Sequence, residues 1–166
     1  APMMIPFQSF MLTLVNVATT LHINGKIWGL AIIYWGLGAP MSIFLYQGFA
    51  KGIPLELEES ALIDGCNQFQ LFTRIIFPML KSCTATVTII NVMWIWNAFL
   101  LPLLMLGGRK SSKTLQLAAY SFMGQSKMEW QNIMSAAILI IIPALILYLI
   151  FQKSIIKGVV AGAVKG

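Results

Sequence analysis

The chain has 166 residues, of which 58% are hydrophobic and 10% charged, with a mean hydropathy of +0.83. Such a low charge fraction excludes an ordinary soluble domain, where about a quarter of residues are charged, and points to a protein solvated by a bilayer, long enough for roughly four or five spans. Eleven basic and five acidic residues give a net charge of +6, but they are scattered between apolar blocks, with Arg109, Lys110 and Lys113 the only tight basic cluster, and form no stripe or patch of the kind nucleic-acid binding needs.

The opening Ala1-Pro2-Met3-Met4-Ile5-Pro6 has no charged leader region and no initiating Met, so it is not an intact signal peptide and is expected to begin inside a longer protein. Four charge-free blocks follow: Met3 to about Leu21, Ile27 to Ala50, about Ser82 to Leu106, and Trp130 to Gln152. Each approaches the ~20 residues that carry a helix across the hydrocarbon. Pro6, Gln8 and Asn16 interrupt the first, and Pro40, Pro102 and Pro143 predict kinks in the other three. His22 falls at a membrane surface, where it is expected to be solvated. In an alternating topology Trp28 and Trp130 lie at the same membrane face and suit an interfacial aromatic belt. Loop charge does not orient the bundle. Lys51, Arg74, Lys81, Lys153, Lys157 and Lys165 stand on one side, against Lys26, Arg109, Lys110, Lys113 and Lys127 on the other. The predicted fold is an all-α polytopic transmembrane helical bundle, with an extramembrane helix-turn-helix over residues 51–81 and a tail over 153–166.

The stretch Lys51 to Lys81 holds four of the five acids: Glu56, Glu58, Glu59 and Asp64. Pro54 suits a helix's first turn, and the acids near it complement the helix dipole. Leu57, Ala61 and Leu62 form a short apolar stripe. Gly65 stands where a helix C-terminus needs a left-handed residue, and Asn67 with Gln70 reads as a capping box opening a second helix. Phe69, Phe72 and Ile76 then recur three and four apart, which puts them on one face. Two short helices bent at Gly65 are predicted, with an apolar face that must dock on something.

Glu59-Ser60-Ala61, then three residues and Gly65, then nine residues and Ile75-Ile76-Phe77-Pro78 resemble the EAA loop of ATP-binding-cassette (ABC) importer permeases. Ser60 and Phe77 depart from that loop's Ala and Leu; the spacing agrees throughout. Met4-Ile5-Pro6, Phe44-Leu45 with Phe49, Ile53-Pro54 with Glu56-Leu57 and Glu59, Trp96-Asn97 with Phe99-Leu100, Ala136-Ala137 through Pro143 to Gln152, and Gly162-Ala163-Val164-Lys165-Gly166 are similar to the carbohydrate branch of that family, the maltose-type inner-membrane subunits.

The resemblance implies a multi-pass subunit in a bacterial inner membrane, with the loop cytoplasmic and gripped by an ATPase subunit. It implies a second permease subunit, an extracytoplasmic solute-binding protein docking near Arg109 to Glu129, and a sugar as cargo. ATP would be bound by the partner, so no cofactor is expected in this chain. Leu62, Phe69 and Phe72 are assigned as apolar anchors, Glu59 and Arg74 as polar contacts or internal ties, and Asp64-Gly65 as the bend, with Ala61 and Pro78 completing the motif. Lys165 and Gly166 are expected to reach toward the nucleotide-binding partners.

Polar groups inside spans are costly and mark a translocation path by default. Asn91, Trp94 and Asn97 are the path candidates, amides beside aromatic faces suiting sugar rings; the competing reading is that they join helices to one another. Cys66 and Cys83 lack metal or redox spacing and read as packing residues. A lone histidine, no hydroxyl or thiol with a base at motif spacing, and no phosphate-binding loop leave no catalytic or metal residue to assign. An importer of a non-sugar solute and a non-transporting membrane scaffold remain as alternatives.

Overall fold

A computed structural model describes residues 5–107, 113–123 and 130–163, with side chains as far as Gln152. The helices are α1 (Phe7–Thr20), α2 (Ile27–Ala50), α3 (Leu55–Ile63), α4 (Gln68–Leu71), a π-helical segment (Phe72–Ile76), α5 (Phe77–Met79), α6 (Lys81–Asn97), α7 (Leu100–Leu106), α8 (Leu115–Ser121) and α9 (Trp130–Ala163). No strand occurs among the described residues, so the fold is all-α as expected.

Apolar length produces the long elements. Helix α2 and residues Trp130–Gln152 of α9 are long and apolar enough to cross a bilayer. The run Gln68–Met79 joins α6 at a bend of 69°, and that bent pair passes the same test together. Helix α1 has 14 residues, about 21 Å, which is shorter than the hydrocarbon. The apolar block 82–106 is not one helix, because α6 stops and α7 restarts across Ala98 and Phe99. Pro102 explains the break: it has no N–H for the Ala98 carbonyl four residues back, and its ring crowds that turn. The α-helical ladder resumes with Leu103 N–H donating to Phe99 O at 2.9 Å, and Pro102 itself is buried.

Pro40 and Pro143 lie inside α2 and α9 without ending them. Beside Pro143, the Trp96 indole N–H donates to Ile140 O at 3.1 Å. That carbonyl is one residue past Leu139, whose own donor the proline removes, so a neighbouring helix supplies hydrogen bonding where the ladder is interrupted. Helix α9 continues past Gln152 into the predicted tail as far as Ala163.

The chain forms two compact units. One combines the residues up to Pro40 with Val92–Leu149, and its core joins Ala18, Leu30 and Tyr34 to Leu101, Met105, Leu106 and Leu117. The other contains Met41–Asn91, with Leu80, Cys83 and Val87 packed by Leu45, Tyr46, Phe49, Ile53 and Ile76. Cys83 is 0% exposed in that cluster and, like Cys66, free, which fits the packing role expected from its spacing. Trp28 and Trp130 are both exposed, and Lys26 Nζ lies 5.0 Å above the Trp28 ring, a pairing suited to a membrane surface.

Candidate functional site

The first arm of the hairpin begins at Pro54, which stands at the N-cap of α3 rather than in its first turn, with Glu56 and Glu58 just inside. Its end is a Schellman turn: Gly65 N–H donates to Leu62 O at 3.1 Å and Cys66 N–H to Ala61 O at 3.0 Å. Gly65 has φ +82°, a conformation that costs any residue with a Cβ. Two residues on, Asn67 Oδ1 accepts from Gln70 N–H at 2.9 Å while Gln70 Oε1 accepts from Asn67 N–H at 3.0 Å. The capping box read from the sequence is therefore complete, and it starts α4 only four intervening residues after the end of α3.

The second arm departs from the predicted regular helix. Phe72–Ile76 is π-helical, closed by Phe77 N–H on Phe72 O. Pro78 is the physical cause, since it has no N–H for the Arg74 carbonyl and cannot continue an α-helical ladder there. A wider turn rotates later side chains, so Phe69, Phe72 and Ile76 do not share one face. Phe69 and Phe72 are exposed, whereas Ile76 packs into the second core. The Phe72 ring instead meets Phe77, with centroids 5.8 Å apart.

Leu62, Phe69 and Phe72 are thus all exposed apolar side chains of the hairpin, Phe69 at 74%, and Ile63 adds another at 85%. Sequence reasoning missed Ile63, although its place directly after Leu62 at the end of α3 was a usable signal. Ala61 is buried, Pro78 is partly buried, and Asp64 and Gly65 are exposed at the turn. Glu59 and Arg74 are both exposed, and among the described residues neither forms an ion pair, so neither ties the hairpin internally.

The path candidates behave differently from one another. Asn91 Nδ2 donates to Ser42 Oγ at 3.1 Å and to Val87 O at 2.9 Å, which uses both amide protons within the protein. Asn97 Nδ2 donates to Met93 O at 2.7 Å on its own helix, and the residue is exposed. Trp94 is also exposed, edge-on to Tyr34 with ring centroids 5.5 Å apart. Trp96 O accepts from Gln116 Nε2 on α8. Lys165 and Gly166 lie outside the described residues, as do both ends of the stretch from Arg109 to Glu129, residues 109–112 and 124–129.

Two helices long and apolar enough to cross a bilayer, together with a short capped hairpin that carries exposed apolar side chains, define a polytopic membrane component. Residues 1–160 match the family of binding-protein-dependent transport system inner membrane components, and the chain belongs to that family. It is 40% identical over 163 residues to the probable starch degradation products transport system permease protein AmyC of Thermoanaerobacterium thermosulfurigenes, covering 98% of this chain and 59% of that protein. To the multiple sugar-binding transport system permease protein MsmG of Streptococcus mutans it is 42% identical, covering 97% of this chain and 58% of the relative. To the arabinooligosaccharides transport system permease protein AraQ of Bacillus subtilis it is 32% identical, covering 99% and 57%. The chain therefore spans less than two thirds of the length of these relatives, all of them membrane transport components rather than enzymes.

Proposed function

We propose that the protein containing this chain is the permease subunit of an ABC importer in a bacterial inner membrane. It forms part of the translocation path for a sugar or oligosaccharide and is driven by ATP that separate ATPase subunits bind and hydrolyse. The hairpin carries this reading: the Glu59-Ser60-Ala61 and Gly65 spacing sits on two short capped helices that carry exposed apolar side chains. Membership in a family of transport components and the sugar systems named for its relatives support it.

In this mechanism the hairpin is cytoplasmic and seats in a groove of the ATPase. Leu62, Phe69 and Phe72 fill the groove, and Glu59 and Arg74 contact its polar rim. Asp64-Gly65 fixes the angle between the arms. Closure of the ATPase pair can rotate the attached helices only through a joint that does not flex, which the Schellman turn and the capping box supply. A second permease subunit completes the path, an extracytoplasmic solute-binding protein delivers cargo near residues 109–129, and lipid surrounds the spans. Asn97 and Trp94 remain candidates for contact with the sugar.

The test is reconstitution of the complete permease in vesicles with its ATPase and binding protein, measuring ATP hydrolysis and solute uptake together. Gly65→Pro, which fixes φ near −65° against the observed +82°, and Glu59→Lys are expected to abolish uptake while leaving membrane insertion intact. Full transport by either variant would overturn the lever assignment, and association of the partners without any uptake by the unaltered protein would favour a scaffold.

A further inference from the structure

The segment Met41–Asn91 contains polar groups that the coupling motif does not use. Tyr46 on α2 donates its hydroxyl proton to Thr84 Oγ1 on α6 at 2.9 Å, and Thr84 passes its own proton to Leu80 O at 3.0 Å. Leu80 is the residue between α5 and α6, at the 69° elbow where the hairpin enters α6. Two turns further along α6, Asn91 is tied to Ser42. As residue numbers rise from Ser42 to Tyr46 on α2, their partners on α6 fall from Asn91 to Thr84, so the two helices run antiparallel across this seam. Leu80, Thr84, Val87 and Asn91 recur at spacings of four, three and four, one continuous stripe of α6. Leu80 and Val87 are buried within it, beside Cys83.

We infer that Tyr46 and Asn91 are positioning residues that lock the elbow of the hairpin to α2. The Tyr46–Thr84–Leu80 relay and the Ser42–Asn91 bond make the helix leading into the hairpin and the helix leading out of it move as one body. This rests on the coupling role proposed for the hairpin and adds where its motion goes. An elbow held only by the Leu80, Cys83 and Val87 side chains could slip along α2, because apolar contacts are non-directional. Hydrogen bonds fix register, and in a membrane the alternative is an unsatisfied hydroxyl or amide. The inference also assigns Asn91 to the helix seam instead of the translocation path, because both its amide protons are used within the protein.

The decisive measurement is solute transported per ATP hydrolysed, made on the complete importer in vesicles, together with the KM for solute. Tyr46→Phe keeps the ring in the core and removes only the hydroxyl. It is expected to lower solute per ATP by about threefold to tenfold, the range that one interhelical hydrogen bond supplies, with KM unchanged. Asn91→Leu should do the same, and the exchange Ser42→Asn with Asn91→Ser should restore the ratio. An unchanged ratio in both Tyr46→Phe and Asn91→Leu would overturn the inference, as would a raised KM at constant ratio in Asn91→Leu, which returns Asn91 to the path. Gly65→Pro is run in parallel. Normal transport by Gly65→Pro sinks the hairpin reading itself, whereas loss there with normal coupling in both Tyr46→Phe and Asn91→Leu sinks the seam alone.

Discussion

Two corners of this chain are closed by the same backbone device and end in opposite circumstances. After α1, His22 N–H donates to Thr19 O and Ile23 N–H to Ala18 O, both at 3.0 Å, with His22 at φ +56°. After α3, Gly65 and Cys66 make the equivalent pair of bonds. The first corner is over-determined by its surroundings: Ala18 is buried, Ile23 packs on the first core, and Gly25 N–H donates to Met105 O at 3.0 Å. Packing of that kind can hold a histidine in a left-handed conformation that costs about 1–2 kcal/mol. Nothing lies within 4 Å of where a Gly65 Cβ would stand, and although Ala61 is buried like Ala18, Leu62 and Ile63 beside the turn are exposed. One corner is finished by its own core. The other is closed by local bonds around the buried Ala61, and its Leu62, Ile63 and Phe69 side chains stay exposed.

The largest effect on the folded chain should come from the packed corner. A Cβ on Gly29 would meet the Ile23 carbonyl oxygen at 2.2 Å, a contact with backbone that cannot move aside cheaply. Gly29→Ala is expected to cost about 2–3 kcal/mol, read as a lowered thermal unfolding midpoint of the complete chain in detergent. Gly65→Ala meets no neighbour, so only the left-handed backbone is penalised, by about 1–2 kcal/mol. If Gly29→Ala proved the milder of the two, the claim that the first corner is held by packing would fail. In the reverse sense, His22→Gly relieves strain without emptying the core, because His22 is exposed. It should raise the midpoint by the equivalent of about 0.5–1 kcal/mol, and a drop would show that the imidazole is held by contacts worth more than the strain.

The contrast also explains what the sequence disclosed. Gly65 and the Asn67–Gln70 box were legible because helix ends depend on residues within four positions of one another. Helix α2 was legible because Lys26 and Lys51 bound a charge-free run of the right length. Hydropathy counts apolar residues and does not register hydrogen-bonding continuity, so the kink expected at Pro102 gave no sign of a full break at Ala98, and the π-helical turn before Pro78 was hidden within an apolar run. Both follow from a proline's missing N–H four residues downstream, a local rule that composition overrode. The Tyr46–Thr84 and Ser42–Asn91 bonds join positions 38 and 49 apart. Only the 4-3-4 stripe of α6 hinted at them, and a stripe on one helix does not name its partner.

The smallest effect on the chain itself belongs to an exposed side chain of the open corner. Phe69 buries little of its ring in this fold, so Phe69→Ala should change the unfolding midpoint by no more than the equivalent of about 0.5 kcal/mol. In the docking proposed for the hairpin its value lies with the partner: an aromatic anchor in a pocket commonly contributes about 2 kcal/mol or more. Affinity of the variant permease for its ATPase, measured in detergent, should therefore fall more than about tenfold while stability stays flat. The same substitution lowering stability by several kcal/mol with affinity unchanged would mean that Phe69 is covered by this protein's own chain, and the difference between the two corners would disappear.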